Sequence, residues 1–145
     1  MMILILTQKL MNISDPFVYL LVRVVLGTLF FFQAYDKIFR IKLKEVCLAV
    51  DNDFRKHGIP NWLSNLYVYM SSYIELIGGI LLVLGLFTLP VLYLLGIHLV
   101  ILFISFSLLQ GIWDMRHVFP RFILLLILFL LPCCWNYFSL DFLLF

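Results

Sequence analysis

Charged residues are scarce in this chain of 145 residues, of which only 12% are Asp, Glu, Lys or Arg while 65% are apolar. In a soluble domain about a quarter of all residues are charged and cover the surface, so this chain has too little polar material to face water. The formal net charge of +2 forms no basic face, which excludes nucleic acid as a partner. A chain this apolar is not disordered in water either. The composition therefore predicts one small domain in a lipid bilayer.

Cysteine and histidine are too few and too scattered for redox or metal chemistry of their own. Cys47 is predicted to lie on the other side of the membrane from Cys133 and Cys134, and there is no Cys-x-x-Cys motif. The three histidines show no metal-ligand spacing, so no metal site is predicted. No phosphate-binding glycine loop or Ser/His/Asp set is present. Any catalysis would therefore depend on a bound cofactor or a partner protein, and no cofactor is evident.

Four apolar stretches are long enough to cross about 30 Å of hydrocarbon as helices. They are Phe17–Tyr35, Leu66–Phe87, Val91–Gln110 and Phe119–Trp135. Ser14-Asp15-Pro16 is typical of a helix start and precedes the first, and Thr88-Leu89-Pro90 predicts a tight hairpin between the second and third. The predicted fold class is all-α, a transmembrane four-helix bundle that makes up a single domain.

The segment between the first two spans, residues 36–65, is predicted to be a long polar loop. Within it, Ile38–Val50 predicts an amphipathic helix on the membrane surface, and Gly58-Ile59-Pro60 is a breaker. Four spans place both termini on the same side of the membrane. Eight of the ten Lys and Arg then lie on the side of the loops, which places the loops in the cytoplasm by the positive-inside rule.

Three ionisable residues lie deep within the predicted spans, at similar depths: Arg23, Glu75 and His98. Such groups are costly in hydrocarbon unless they are paired or functional, so we expect an Arg23–Glu75 ion pair within one midplane polar cluster. The pair is compatible with two roles, locking the bundle or lining a ligand pocket. His98 is compatible with proton relay, with hydrogen bonding to a quinone carbonyl, or with an ordinary core position.

Small residues and a polar rim surround this predicted cluster. Four glycines are candidates for close helix packing or for leaving space to a ligand: Gly27, Gly78, Gly79 and Gly85. At the ends of the first and third spans, on the loop side, a rim of polar and aromatic residues predicts either an interfacial belt or a ligand mouth. Its members are Gln33, Asp36, Lys37, Trp113 and Asp114.

Several short motifs follow one another along the chain. They are Arg23-x-x-x-Gly27, Phe30-Phe31-Phe32-Gln33-Ala34-Tyr35-Asp36-Lys37, Gly58-Ile59-Pro60, Glu75-x-x-Gly78-Gly79, Leu84-Gly85-Leu86-Phe87-Thr88, Trp113-Asp114-Met115, Phe119-Pro120-Arg121 and Ser139-Leu140-Asp141. Their order resembles the DoxX family of small four-helix membrane proteins, in particular its branch found in Bacteroidetes. The resemblance implies a bundle in the bacterial inner membrane. Relatives are commonly drawn with both termini in the cytoplasm, which is opposite to the orientation that the charge count predicts.

Two functions are compatible with these features. The family takes its name from a subunit of a thiosulfate:quinone oxidoreductase, so the resemblance implies a quinone-linked or redox-associated membrane subunit. The alternative is a non-catalytic anchor or assembly partner of a larger complex, in which residues 36–65 dock another protein. A homo-oligomer is compatible with both. A solute transporter is disfavoured because no inverted repeat or broken midplane helix is visible.

Overall fold

The computed structural model describes residues 2–109, 118–132 and 136–144, and its side-chain description excludes residues 2–15, 52–53, 106, 108–109 and 144. Six α-helices and one π-helix account for nearly all of this part of the chain. They are α1 (Met2–Tyr35), the π-helix Asp36–Arg40, α2 (Leu43–Lys56), α3 (Asn61–Leu84), α4 (Thr88–Leu109), α5 (Phe119–Leu130) and α6 (Leu140–Leu144). The predicted all-α class is confirmed.

Four of these helices close a bundle around an apolar core. Helix α1 packs against α3 and α5, and α4 packs against both α3 and α5. The side chains buried between them include Leu26, Phe30, Leu82, Leu95 and Leu99. Many other large apolar side chains on the outer faces are exposed, as expected for helices whose solvent is lipid rather than water.

Three segments are long and apolar enough to cross a membrane, namely Pro16–Arg40, Asn61–Leu84 and Thr88–Ser105. Helix α5 is apolar but has only 12 residues, about 18 Å of helix. It ends where Leu131 adopts an extended backbone before Pro132, because proline disfavours the helical conformation in the residue before it. The remainder of the predicted fourth span, residues 133–135, lies outside the described residues, as does Gln110.

The start of α1 differs from the prediction. Ser14-Asp15-Pro16 does not begin a helix, because α1 runs from Met2 and holds Pro16 in its interior. A proline removes one backbone hydrogen bond, and membrane helices tolerate this loss where the rest of the ladder persists. Residues 2–12, whose short apolar run in the sequence predicts an interfacial segment, are instead continuous with the rest of α1.

The predicted loop 36–65 is mostly helical. Lys42 has a positive φ of 69°, which ends the helical conformation after the π-helix. The amphipathic helix therefore begins at Leu43 rather than at Ile38. Helix α2 buries Leu43 and Cys47 against Val68 of α3. Helix α2 continues to Lys56, six residues beyond the predicted end at Val50, and the breaker at residues 58–60 follows it. Helix α3 begins at Asn61, about one turn before the predicted span.

The connection between α3 and α4 also differs from the prediction. Helix α3 ends at Leu84 because Gly85 adopts the left-handed conformation, with φ 71°, which glycine reaches at little cost. Gly85, Leu86 and Phe87 form the turn. The predicted hairpin Thr88-Leu89-Pro90 is instead the first turn of α4.

Candidate functional site

Glu75 lies at the centre of a buried charged cluster. Its Oε2 accepts a hydrogen bond from Lys37 Nζ at 2.6 Å, and its Oε1 lies 3.2 Å from His98 Nε2 and 3.5 Å from Arg121 Nη1. The Glu75 side chain has no exposed surface. Lys37 follows α1, His98 belongs to α4 and Arg121 belongs to α5. The Glu75 carboxylate of α3 therefore links all four helices of the bundle. We call these four residues the Glu75 cluster.

Lys37 joins this cluster from the π-helix that follows α1. A π-helical turn changes the helical register locally, so the side chains that follow point in directions that a continued α-helix would not give them. Asp36 and Arg40 pair with each other at 3.2 Å, and Arg40 is largely and Asp36 nearly half exposed, whereas the Lys37 side chain is only 19% exposed. The residue predicted at the rim therefore extends into the bundle.

Arg121 enters the cluster from the first turn of α5. Its guanidinium is nearly fully buried, and its Cζ lies 5.3 Å from the centroid of the Phe30 ring. An aromatic face and a carboxylate both attract a guanidinium, so Arg121 is stabilised by Phe30 and Glu75 together. On another side of the cluster, Ser71 Oγ lies 3.4 Å from His98 Nε2, which extends the polar contacts between α3 and α4.

A groove opens beside the cluster, between the C-terminal end of α1 and the start of α5. Its volume is about 760 Å³, and its lining consists of Thr28, Leu29, Phe32, Gln33, Asp36, Lys37, Ile41, Pro120 and Arg121. Lys37 and Arg121 belong both to this lining and to the Glu75 cluster. The groove therefore combines apolar walls with two cationic hydrogen-bond donors that a buried carboxylate holds in place.

Arg23 lies in a different polar cluster, and the expected Arg23–Glu75 ion pair is wrong. Arg23 Nη1 donates to Asn136 Oδ1 at 2.6 Å and Nη2 donates to the carbonyl oxygen of Phe138 at 2.7 Å. Gly85 packs directly against this guanidinium, and a Cβ at residue 85 would clash with Arg23 Nη1. Arg23 is thus level with the end of α3, several turns from Glu75. Of the three residues predicted to cluster, the structure brings only Glu75 and His98 together.

Asp141 closes the same end of the bundle. Its carboxylate accepts hydrogen bonds from the backbone N–H groups of Phe87 and Thr88, at 2.7 and 2.8 Å, and from Thr88 Oγ1 at 2.9 Å. These donors are at the N-terminus of α4, where a negative charge is favourable. Desolvation raises the pKa of Asp141, but the hydrogen bonds from Thr88 and Phe87 outweigh it and hold the pKa below its usual value.

Three of the four predicted packing glycines lie at helix contacts, whereas Gly85 is the left-handed residue that ends α3. A Cβ on Gly79 would stand 2.7 Å from the backbone nitrogen of Phe31, and one on Gly27 would stand 2.9 Å from the carbonyl oxygen of Gly79. Helices α1 and α3 therefore touch backbone to backbone at this point. Gly78 faces the Leu95 side chain of α4.

The predicted loop-side rim is only partly described. Gln33, Asp36 and Lys37 line the groove, whereas Trp113 and Asp114 lie outside the described residues. Arg121 is one of the eight cations that the sequence places on the loop side, and its contact with Glu75 is not predicted. A signal existed, because Arg121 stands within the predicted fourth span and an ionisable residue there requires a partner.

Among the residues that the structure describes, no group of three or more His, Cys, Asp and Glu side chains could hold a metal ion. The Glu75 cluster brings together one carboxylate, one imidazole and two cations. It suits the binding of an oxygen atom by hydrogen-bond donors rather than metal coordination.

The family model of DoxX matches residues 18–108, which is more than half of the chain, and the chain therefore belongs to the DoxX family. No curated protein and no solved structure shows a significant match. The matched residues include Lys37, Glu75 and His98, while Arg121 lies beyond them. Family membership and the apolar helices together define a small multi-pass membrane protein.

Proposed function

We propose that this protein is a redox-associated subunit of the bacterial inner membrane that binds a quinone in the groove between α1 and α5. The observation that carries the proposal is the position of Lys37 and Arg121, which line the groove and contact Glu75 behind it. The DoxX family takes its name from a subunit of a thiosulfate:quinone oxidoreductase, which points in the same direction. A quinone, when bound, would supply reversible electron transfer.

The groove suits the two parts of a quinone. Its volume of about 760 Å³ falls within the usual range of small-molecule sites, roughly 300–1,000 Å³. Leu29, Phe32 and Ile41 provide apolar surface for the ring and the isoprenoid tail, and the three side chains are exposed on the outer face of the bundle. A ligand dissolved in the bilayer can therefore enter from the side.

The headgroup would be held by the polar part of the lining. Lys37, Arg121 and the amide of Gln33 offer hydrogen-bond donors to a carbonyl oxygen. Glu75 acts as a positioning residue, since its two oxygens hold Lys37 and Arg121 next to each other. His98 contacts the same carboxylate and so helps to hold Glu75 in place behind the groove.

Binding of a short-chain quinone to the protein in phosphatidylcholine nanodiscs tests this proposal. Decylubiquinone should bind to the wild type in excess of its partition into empty nanodiscs, and Lys37→Met should weaken this binding about tenfold through the lost charged donor. Lys44→Met is the matched control, because Lys44 is an exposed lysine of α2 outside the groove, and it should bind as the wild type does.

A second groove variant covers the case in which Lys37→Met does not fold. Gln33→Leu changes the lining of the groove without touching the Glu75 cluster and should also reduce the affinity. Absence of specific quinone binding to the folded wild type, together with purified protein that carries no extractable quinone, would overturn the proposal.

The anchor or assembly role remains a second candidate because of a cleft between α2 and α3. Its volume is about 440 Å³, and its lining includes Asp51, Asn61, Asn65 and Tyr69. Leu48 stands exposed beside it on the outer face of α2. An apolar side chain next to polar groups suits a protein partner.

Photo-crosslinking in native membranes separates this role from the first. A crosslinker at Leu48 should capture one defined protein, while a crosslinker at Tyr93, an exposed residue of α4, should capture none. Equal labelling at both positions contradicts the docking role and leaves the quinone proposal unaffected.

A further inference from the structure

We infer that the groove between α1 and α5 prefers an amphipathic ligand whose headgroup oxygen carries a negative charge. An ionised hydroxyquinone and a long-chain carboxylate both have this chemistry, an anionic oxygen on an apolar body. The inference rests on the proposed function for the place of binding. It goes further by stating which charge of the ligand the groove prefers.

The balance of charge around the groove supports this preference. Lys37 and Arg121 share the single carboxylate of Glu75. Asp36, the acidic side chain of the lining, is paired with Arg40 at 3.2 Å. This pair contributes no net charge, and solvent screens it because both side chains are at least partly exposed. With the Asp36–Arg40 pair counted as neutral, the two cations Lys37 and Arg121 face the single carboxylate of Glu75, which leaves one net positive charge at the groove.

Lys37 can donate to a ligand while it keeps its bond to Glu75. An ammonium group has three hydrogens, and the contact with Glu75 Oε2 at 2.6 Å uses one of them. Its side chain is 19% exposed and belongs to the groove lining. A second acceptor can therefore reach the same nitrogen from the groove.

The surroundings strengthen the interaction with a charged acceptor. The Lys37 ammonium makes a charge-assisted hydrogen bond to any acceptor, and an anionic oxygen adds to it the Coulomb attraction between two full charges. Leu29, Phe32 and Ile41 in the same lining lower the local dielectric, which increases the attraction between Lys37 and an anion more than that between Lys37 and a neutral carbonyl. An anionic oxygen thus gains most from this groove.

Two matched pairs of ligands test the inference on the wild-type protein in phosphatidylcholine nanodiscs. The first pair is 2-hydroxy-1,4-naphthoquinone, ionised at neutral pH, and its 2-methoxy analogue, which does not ionise. The second pair is laurate and methyl laurate. Binding is measured as the excess over partition into empty nanodiscs, which removes the effect of charge on partition itself.

The charged member of each pair should bind about tenfold more tightly, the ratio expected when a charged acceptor replaces a neutral one. If the two quinones bind equally, the inference fails while the proposed function stands. If laurate binds with the expected preference and none of the quinones binds, decylubiquinone included, the inference stands and the proposed function fails. If none of the four ligands binds, the inference fails, and the proposed function fails with it when decylubiquinone does not bind either.

Variants show whether Lys37 causes the preference. Lys37→Met should bring the ratio within each pair close to one, and Lys37→Arg, which keeps the charge, should retain most of it. Gln33→Leu should lower the affinity for both members of a pair and leave their ratio unchanged. An unchanged ratio in a folded Lys37→Met protein would overturn the assignment.

Discussion

Lys37 Nζ lies 2.6 Å from Glu75 Oε2, although 38 residues separate them in the chain. This contact ties the π-helix that follows α1 to the middle of α3 and carries an ion pair into the interior of an apolar bundle. Desolvation makes each partner costly without the other, so such a pair is much more sensitive to the loss of one partner than an exposed pair is. It also ties the stability of the bundle to the groove that Lys37 lines.

Substitution Glu75→Gln should destabilise the protein by about 3 kcal/mol, because two buried cations lose their carboxylate. The measurement is unfolding in detergent followed by circular dichroism. Asp36→Asn is the control, since it removes a carboxylate from the exposed pair with Arg40 and should cost less than about 0.5 kcal/mol. Equal losses in the two variants would contradict the central role of the Glu75 cluster.

Double substitutions should separate the two polar clusters. Lys37→Met and Glu75→Gln remove the two halves of one contact, so their combined effect should differ from the sum of the single effects by about 1 kcal/mol or more. Arg23→Gln and Glu75→Gln share no partner and should add within about 0.5 kcal/mol. Strong coupling between Arg23 and Glu75 would restore the ion pair expected from the sequence.

Gly79→Ala should destabilise the bundle by about 1–3 kcal/mol, as overpacking does. The new Cβ would stand 2.7 Å from the Phe31 backbone nitrogen, and backbone yields less readily than a side chain. Gly96→Ala is the control within α4, where the nearest atom would be 3.5 Å away in the Phe129 ring. That variant should unfold at the same temperature as the wild type or above it, since alanine favours helix over glycine.

The contribution of Asp141 to stability should depend on pH. Because its pKa in the folded protein is lower than the ordinary value of 3.8, the unfolded chain binds the proton more readily. The contribution is therefore complete above the ordinary value and is lost as the pH falls through the folded-state pKa. At neutral pH, Asp141→Asn should cost about 1 kcal/mol, typical of a lost helix cap, and the difference from wild type should shrink in acid. A difference that does not change with pH would show that the charge of Asp141 contributes nothing.

Much of the helical core was predictable because its signals are local. Runs of apolar residues identify the long helices whatever their neighbours are, and the left-handed conformation at Gly85 is common where a glycine follows a helix. Helix ends were less predictable. The positive φ at Lys42 has no signal in its residue type, and Pro16 lies within α1 although proline usually marks a helix start.

The amino-acid sequence by itself determined that this chain is a helical membrane protein, because its few charges indicate lipid as the solvent and its long continuous apolar runs satisfy their backbone hydrogen bonds there as helices. It also showed that Glu75 requires partners. Only the tertiary structure decided which partners these are. Counting residues along a helix gives the depth of a side chain, but the pairing also depends on the rotation of each helix about its axis and on the register between neighbours. The π-helix directs Lys37 towards Glu75, and the start of α5 places Arg121 beside it. Arg23 lies level with the end of α3 and therefore binds Asn136 and the Phe138 carbonyl instead.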